Sequence, residues 1–322
     1  MKDLLVLPSS MSLPTELWAL ILDHIEHLPA CDLAAMSRCS RFLNHKLRPR
    51  LFHTVTLSTA RSLAAFDRFV KSEQSQWGML AARVLRRKEQ RGLSVMIRQI
   101  PTLHLIRNLA IPLHYHMKDN LTAVGRFSAA RNILAACPNI DTVFLDFDSS
   151  SVVELLVQNP KVTRLFFVME SPTERPILLQ RENVYQNLTH LWVHDLTSCC
   201  NAARSGSGVT LEAFPALTHV VAGIYPSMIA HIAMVTAGVS EILRFSRLKR
   251  FLFLIPVGGG STTSVEKMPI WHSLAALHDH RVHVMAVSIP SGKEWVFSST
   301  LQWNRLTSEC DTDVTWESGV PV

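Results

Sequence analysis

One spacing, apolar-x-x-apolar-x-apolar, recurs from residue 106 to residue 287 and constrains the fold more than any other feature. Its instances are Ile106, Leu109, Ile111, then Ile140, Val143, Leu145, then Val162, Leu165, Phe167, then Leu188, Leu191, Val193. They continue with Leu217, Val220, Ala222, then Leu248, Phe251, Phe253, and close with Val282, Met285, Val287. The starts lie 34, 22, 26, 29, 31 and 34 residues apart. The last three residues of each instance alternate in and out, the period of a short strand. Helical periodicity fills the gaps: Val124, Phe127, Ala130 and Leu134; Val152, Val153, Leu155 and Leu156; Met228, Ile232, Val235, Val239 and Ile242; Trp271, Leu274, Ala275 and Leu277. A mixed α and β fold follows. Its body is expected to be an irregular α/β solenoid whose neighbours bury one shared core. The alternative is a compact α/β domain with a mostly parallel sheet.

If each triad points inward, the interleaved residues face the open side of the sheet. In the middle of that row stand Phe144, Arg164, Phe166, His190, Trp192, His194, His219 and Arg250. Aromatic residues and Arg are what protein interfaces enrich, so these are the candidate target-binding residues. The competing expectation is that a C-terminal segment bearing Trp295, Phe297, Trp303 and Trp316 covers them, or that the strands are buried on both sides.

Apolar residues make up 48% of the 322 and charged residues 18%, which excludes general disorder and suggests about two domains. The net charge of +6 is unevenly placed. Residues 34–107 hold 15 Lys/Arg against 3 Asp/Glu, whereas residues 1–33 are acidic. Arg83, Arg87 and Arg91 share a helix face, with Arg86 and Lys88 beside them, but only Trp77 is near for base stacking. A solvated face or hinge is expected there rather than a nucleic-acid site. Residues 213–240 carry no Asp, Glu, Lys or Arg, yet Pro215, Gly223 and Pro226 interrupt them, so no membrane span is expected. Six cysteines with no C-x-x-C fit a reducing compartment. The apolar run Leu4–Leu7 is too short for a signal peptide, so a cytoplasmic or nuclear location is expected.

The N-terminal residues read as three short helices. Pro14 opens the first, over 13–28, and Leu17, Leu20, Ile21, Ile25 and Leu28 form its apolar stripe. Asp32 is expected to cap the second, with Leu33 and Met36 inside, and Pro49 to stop a third carrying Phe42, Leu43 and Leu47. Leu13-Pro14-Thr15-Glu16-Leu17, Ile21-Leu22, Ile25, Asp32-Leu33 and Ser37-Arg38-Cys39-Ser40-Arg41-Phe42 together resemble an F-box, over about residues 12–52. The resemblance implies binding to the Skp adaptor of an SCF-type cullin–RING ubiquitin ligase. It would place Leu13, Pro14, Leu17, Ile21, Leu22, Ile25 and Leu33 at the adaptor interface, with Trp18 as an added anchor. The strand motif in turn resembles a leucine-rich repeat, a familiar companion of the F-box in fungal-type proteins. The usual Asn or Cys after the strand is missing: Asp148, Glu170, Leu196, Tyr225 and Pro256 stand there. The expected division is an F-box-like domain at 12–52, a basic helical connector at 53–105, the repeat domain at 106–290 and a tail at 291–322.

Motifs of catalysis are lacking. Val257-Gly258-Gly259-Gly260-Ser261 has no P-loop Lys and no dinucleotide spacing. His114, His116, His278 and His280 lack a partnered carboxylate or Cys at ligand spacing, and Cys199-Cys200 has no assignable base. The expectation is a non-catalytic substrate receptor with no cofactor and no metal, whose partners are the Skp adaptor, the cullin and a target protein. The alternatives are an interaction scaffold outside a ligase, or an α/β hydrolase or transferase.

Overall fold

The computed structural model describes residues 17, 28, 30–39, 41–91, 102–111, 123–145, 152, 154–156, 159–167, 185–193, 214–223, 231–258, 264–289 and 319–322. The chain divides into two compact units, Met1–His53 and Thr54–Val322.

In the first unit, α1 spans Ala30–Ser37 and α2 spans Arg41–Leu51. Leu33, Leu43 and Leu47 bury one another between these helices, with Met36 and Leu51 packed against them. Two expectations shift. Asp32 lies inside the first turn of α1 rather than before it, where its charge suits the helix N-terminus. Pro49 lies within α2, which runs on to Leu51, and the N–H of Phe52 still reaches the Arg48 carbonyl at 3.1 Å. The expected helix over 13–28 lies outside the described residues except for Leu17 and Leu28.

Among the described residues the second unit holds a nine-stranded sheet. Its strands are β1 (Thr54–Thr56), β2 (Asn108–Ile111), β3 (Thr142–Leu145), β4 (Arg164–Phe167) and β5 (His190–Val193). They are followed by β6 (His219–Gly223), β7 (Arg250–Gly258), β8 (Val282–Ile289) and β9 (Val320–Pro321). Strand order across the sheet is the order along the chain. Pairing is parallel from β1 to β8, and β9 closes antiparallel on β8. The described helices of this unit are α3 (Ala60–Arg91), α4 (Ala123–Ala136), α5 (Ile232–Leu243) and α6 (Pro269–Ala275). The fold is therefore mixed α/β with a mostly parallel sheet.

Strands β3 to β7 each follow a tight turn. The N–H of Ile140, Val162, Leu188, Leu217 and Leu248 bonds the carbonyl three residues earlier, which buries the first apolar residue of the triad under the sheet. The second and third residues then point to the same side, as Leu109 and Ile111, Val143 and Leu145, or Phe251 and Phe253 do, all buried. The last triad departs from this pattern. β8 begins at Val282 itself, directly on its turn, so Val282 pairs with Phe251. Residues three apart in a strand face opposite sides. Val282 and Val284 therefore line the inner core, while Met285 and Val287 pack with the other face.

The segment expected as a connector belongs to the sheet unit. Its β1 pairs with β2, and α3 packs along α4, where Asn132 donates to Asp67 at 3.2 Å. Thr59 caps α3: the Ser62 N–H donates to the Thr59 hydroxyl, and the Thr59 N–H donates to the Ser62 hydroxyl, both at 3.0 Å. In the helical stretch with Ala130 and Leu134, those two are buried but Val124 is 78% exposed. No helix among the described residues is long and apolar enough to cross a membrane. The uncharged run contributes α5, whose 12 residues span about 18 Å, short of a bilayer core.

Candidate protein-interaction site

The register of the sheet sets one polar residue from each strand into a row. Thr54, Asn108, Thr142, Arg164, His190, His219 and Arg250 stand side by side at the starts of β1 to β7. Backbone bonds fix its register. Carbonyls of Arg107, Asp141, Thr163, Thr189 and Thr218 each accept two N–H groups from the start of the next strand. Thus Thr189 and His190 both donate to the Thr163 carbonyl, at 2.8 and 3.1 Å.

Threonine hydroxyls add a third bond at the same carbonyls. Thr163 donates to the Asp141 carbonyl at 3.4 Å, Thr189 to that of Thr163 at 3.1 Å, and Thr218 to that of Thr189 at 3.3 Å. With the hydroxyl proton so used, the Thr189 oxygen accepts from His190 Nδ1 at 2.7 Å. The Thr218 oxygen likewise accepts from His219 Nδ1 at 2.8 Å. This network assigns the Nδ1 proton in each ring. Burial, then His219, then Arg164, push the His190 pKa down to about 3. His190 is therefore neutral near pH 7. Arg164, His190, His219 and Arg250 are all partly exposed.

Two residues further along each strand, on the same face, lie Ala110, Phe144, Phe166, Trp192, Val221 and Leu252. They form a buried cluster with Leu254, in which the Phe166 and Trp192 rings meet at 5.1 Å. Phe144, Phe166 and Trp192, expected on an open surface, are thus core residues. Their strands are apolar on both sides, and both sides are covered. The chain end contributes to that covering: Gly319 lies so close that a Cβ there would stand 2.6 Å from Leu252 Cδ1. His194, Trp295, Phe297, Trp303 and Trp316 lie outside the described residues. Of the residues expected on that surface, Arg164, His190, His219 and Arg250 are the ones partly exposed.

No protein-family model, curated protein or solved structure matches this chain. Among the described residues, no group of three or more His, Cys, Asp or Glu is placed to hold a metal. Burial pushes the Cys137 thiol up to about 12, which makes it an inert core residue rather than a nucleophile. The row sets polar side chains in fixed register across the sheet.

In the N-terminal unit the motif residues separate. Leu17 is 44% exposed and Leu28 39%, whereas Leu33 is buried against Leu43 and Leu47. Leu33, expected at the adaptor interface, therefore holds the unit together from inside. Leu13, Pro14, Trp18, Ile21, Leu22 and Ile25 lie outside the described residues.

A polar residue just before four of the triads also braces the turns. Asn139 donates to the His104 carbonyl at 2.8 Å, Asn187 to that of Pro160 at 2.7 Å, and Arg247 to that of Pro215 at 2.6 Å. Arg281 donates to the carbonyls of Leu243 and Phe245 at 2.6 and 3.1 Å. The signal for both ladders stood in the sequence, as Thr163, Thr189 and Thr218 immediately after the first apolar residue and as these polar residues immediately before it.

Proposed function

We propose that the chain is a non-catalytic substrate receptor of an SCF-type ubiquitin ligase, docking on the Skp adaptor through its N-terminal helices and holding a target on its sheet unit. The observation that carries this reading is the exposure of Leu17 within the F-box-like motif, in a unit whose described core is formed by Leu33, Leu43 and Leu47. A large apolar side chain left outside such a small core suits contact with another protein. In the same reading the sheet unit is an irregular, leucine-rich-repeat-like solenoid. Strand order that follows chain order, with no reversal point, supports this over a doubly wound domain. The threonine and turn-bracing bonds take the place of the missing Asn ladder. Catalysis then consists in positioning the target for the rest of the ligase.

Co-purification with the Skp adaptor and cullin tests the reading. The full chain is expected to retain both, and Leu17→Asp to lose both while keeping its thermal melting profile. Failure of the unaltered chain to capture the adaptor, or capture undiminished by Leu17→Asp, refutes it.

A further inference from the structure

The outer edge of β8 is partly covered by the chain itself. Resting on the reading that the sheet unit holds a target, we propose that this edge takes an extended segment of the target as an added antiparallel strand, with β9 as its exchangeable internal occupant. The Phe251 N–H donates to the Arg281 carbonyl at 2.8 Å, and Phe251 is the register partner of Val282. In a parallel ladder this turns the backbone groups of His283 and Met285 toward β7, and those of Val282, Val284, Ala286 and Ser288 outward. β9 uses the first two outward positions. The Val322 N–H donates to the Val282 carbonyl at 3.2 Å, and Val320 is the register partner of Val284. The pairing stops there because Gly319 has φ of +98°, which ends the extended run. Among the described residues no strand meets Ala286 or Ser288 on this side, although β7 pairs with β8 along its whole length.

The occupant already seated shows what the edge accepts. Val320 and Val322 stand opposite Val284 and Val282, on the face whose core those two buried residues line. A target strand with β-branched apolar residues at alternate positions would continue that core. Between them Pro321 stands where the backbone turns away from β8, so its missing N–H costs no ladder bond. The same Pro offers no donor to a strand beyond β9, so the sheet takes a new strand at β8 by exchange. β9 is suited to leave. It pairs through two residues, both exposed, and segments with few buried contacts open locally at low cost. An incoming strand of about seven residues along Val282–Ser288 would bond outward groups at Ala286 and Ser288 as well as those that β9 uses.

The test uses the full chain and a labelled peptide of about seven residues, alternating valine and threonine with valine at both ends, so that valine takes the positions of Val320 and Val322. Two further peptides carry N-methyl groups on the valine amides or on the threonine amides. The unmodified peptide is expected to bind, the valine-methylated one to lose about tenfold, and the threonine-methylated one to bind as the unmodified one does, since its blocked amides face away as Pro321 does. Val320→Pro removes the N–H that this register turns toward Val284, and is expected to bind the unmodified peptide about fivefold tighter than the unaltered chain. Val320→Thr keeps that N–H and is expected to match the unaltered chain. Thermal melting reports whether the variants fold, and the comparison of the three peptides on the unaltered chain stands without them. Adaptor capture is read in the same preparation, so a failure of the ligase reading shows there and a failure of this one in the peptide titration. Equal effects of the two methylation patterns, no binding of the unmodified peptide, or a folded Val320→Pro that binds no tighter than the unaltered chain overturns the proposal. So does a Val320→Pro dimer that the peptide fails to dissociate, because the edge would then take a second copy of this chain.

Discussion

The imidazole rings of His190 and His219 stack with centroids 4.4 Å apart and planes within 8° of parallel. Parallel pairing puts them there, since His190 and His219 are register partners on adjacent strands. Each Nδ1 is tied to the threonine before it. Buried and held so close to His219 and Arg164, the His190 ring resists a positive charge.

That resistance makes stability depend on pH. The His190 pKa falls from its ordinary 6.5 to about 3, first through burial, then through His219 and Arg164. Between those values the unfolded chain binds a proton that the folded chain refuses, so stability falls as pH falls through this window. Above 6.5 and below 3 this group adds no slope. Denaturant unfolding at pH 7 and pH 4 is expected to show a smaller loss for His190→Phe, which keeps the stack and cannot take a proton, than for the unaltered chain. Equal losses count against the assignment.

Trp192 is 7% exposed and lies against Phe166 in the buried cluster. Removing it opens a cavity between apolar neighbours, and Trp192→Ala is expected to cost about 3–5 kcal/mol in denaturant unfolding. An exposed anchor would lose target binding with little change in stability. A cost near zero would restore the open-face picture.

The strands of the sheet were legible because each needs only a local pattern. Ile140, Val143 and Leu145 announce β3 without reference to anything distant, and six triads mark their strands in this way. Which face meets solvent was not legible, because Phe144, Phe166 and Trp192 are apolar on the side that alternation alone leaves open. Burial of that side depends on chain far away in sequence, such as Gly319 beside Leu252. β1 was missed although Phe52, Val55 and Leu57 carry the triad spacing, since the long α3 separates it from β2 by more than any later interval. In the last triad the turn and strand merge, so spacing alone assigned Met285 to the wrong face.

Gly319 has φ of +98°, a conformation that side chains with a Cβ adopt at a cost. A Cβ there would stand 2.6 Å from Leu252 Cδ1, 3.3 Å from His283 Cβ and 3.3 Å from the Val284 carbonyl oxygen. Leu252 is the tip of a flexible side chain and can turn aside, but the other two are fixed by β8. Gly319→Ala is expected to destabilise the sheet unit by about 1–2 kcal/mol, read as a lowered denaturant midpoint. A midpoint unchanged or raised would mean that the chain end does not pack on this face.

The threonine ladder separates a bond that matters from one that does not. Thr163 and Thr189 each donate to a carbonyl that already accepts two backbone N–H groups, so neither loss orphans a carbonyl. Of these two, Thr189 alone also accepts from an imidazole, as Thr218 does, because Arg164 follows Thr163 where His190 follows Thr189. Thr189→Val therefore strands the Nδ1–H of a largely buried ring and is expected to cost about 1–3 kcal/mol, whereas Thr163→Val should cost about 0.5 kcal/mol. The difference is traced by a double-mutant cycle. In a His190→Phe background there is no Nδ1–H to strand, so the added cost of Thr189→Val should drop to that of Thr163→Val. An undiminished cost in that background would mean that the hydroxyl acts through the carbonyl of Thr163 and not through the ring.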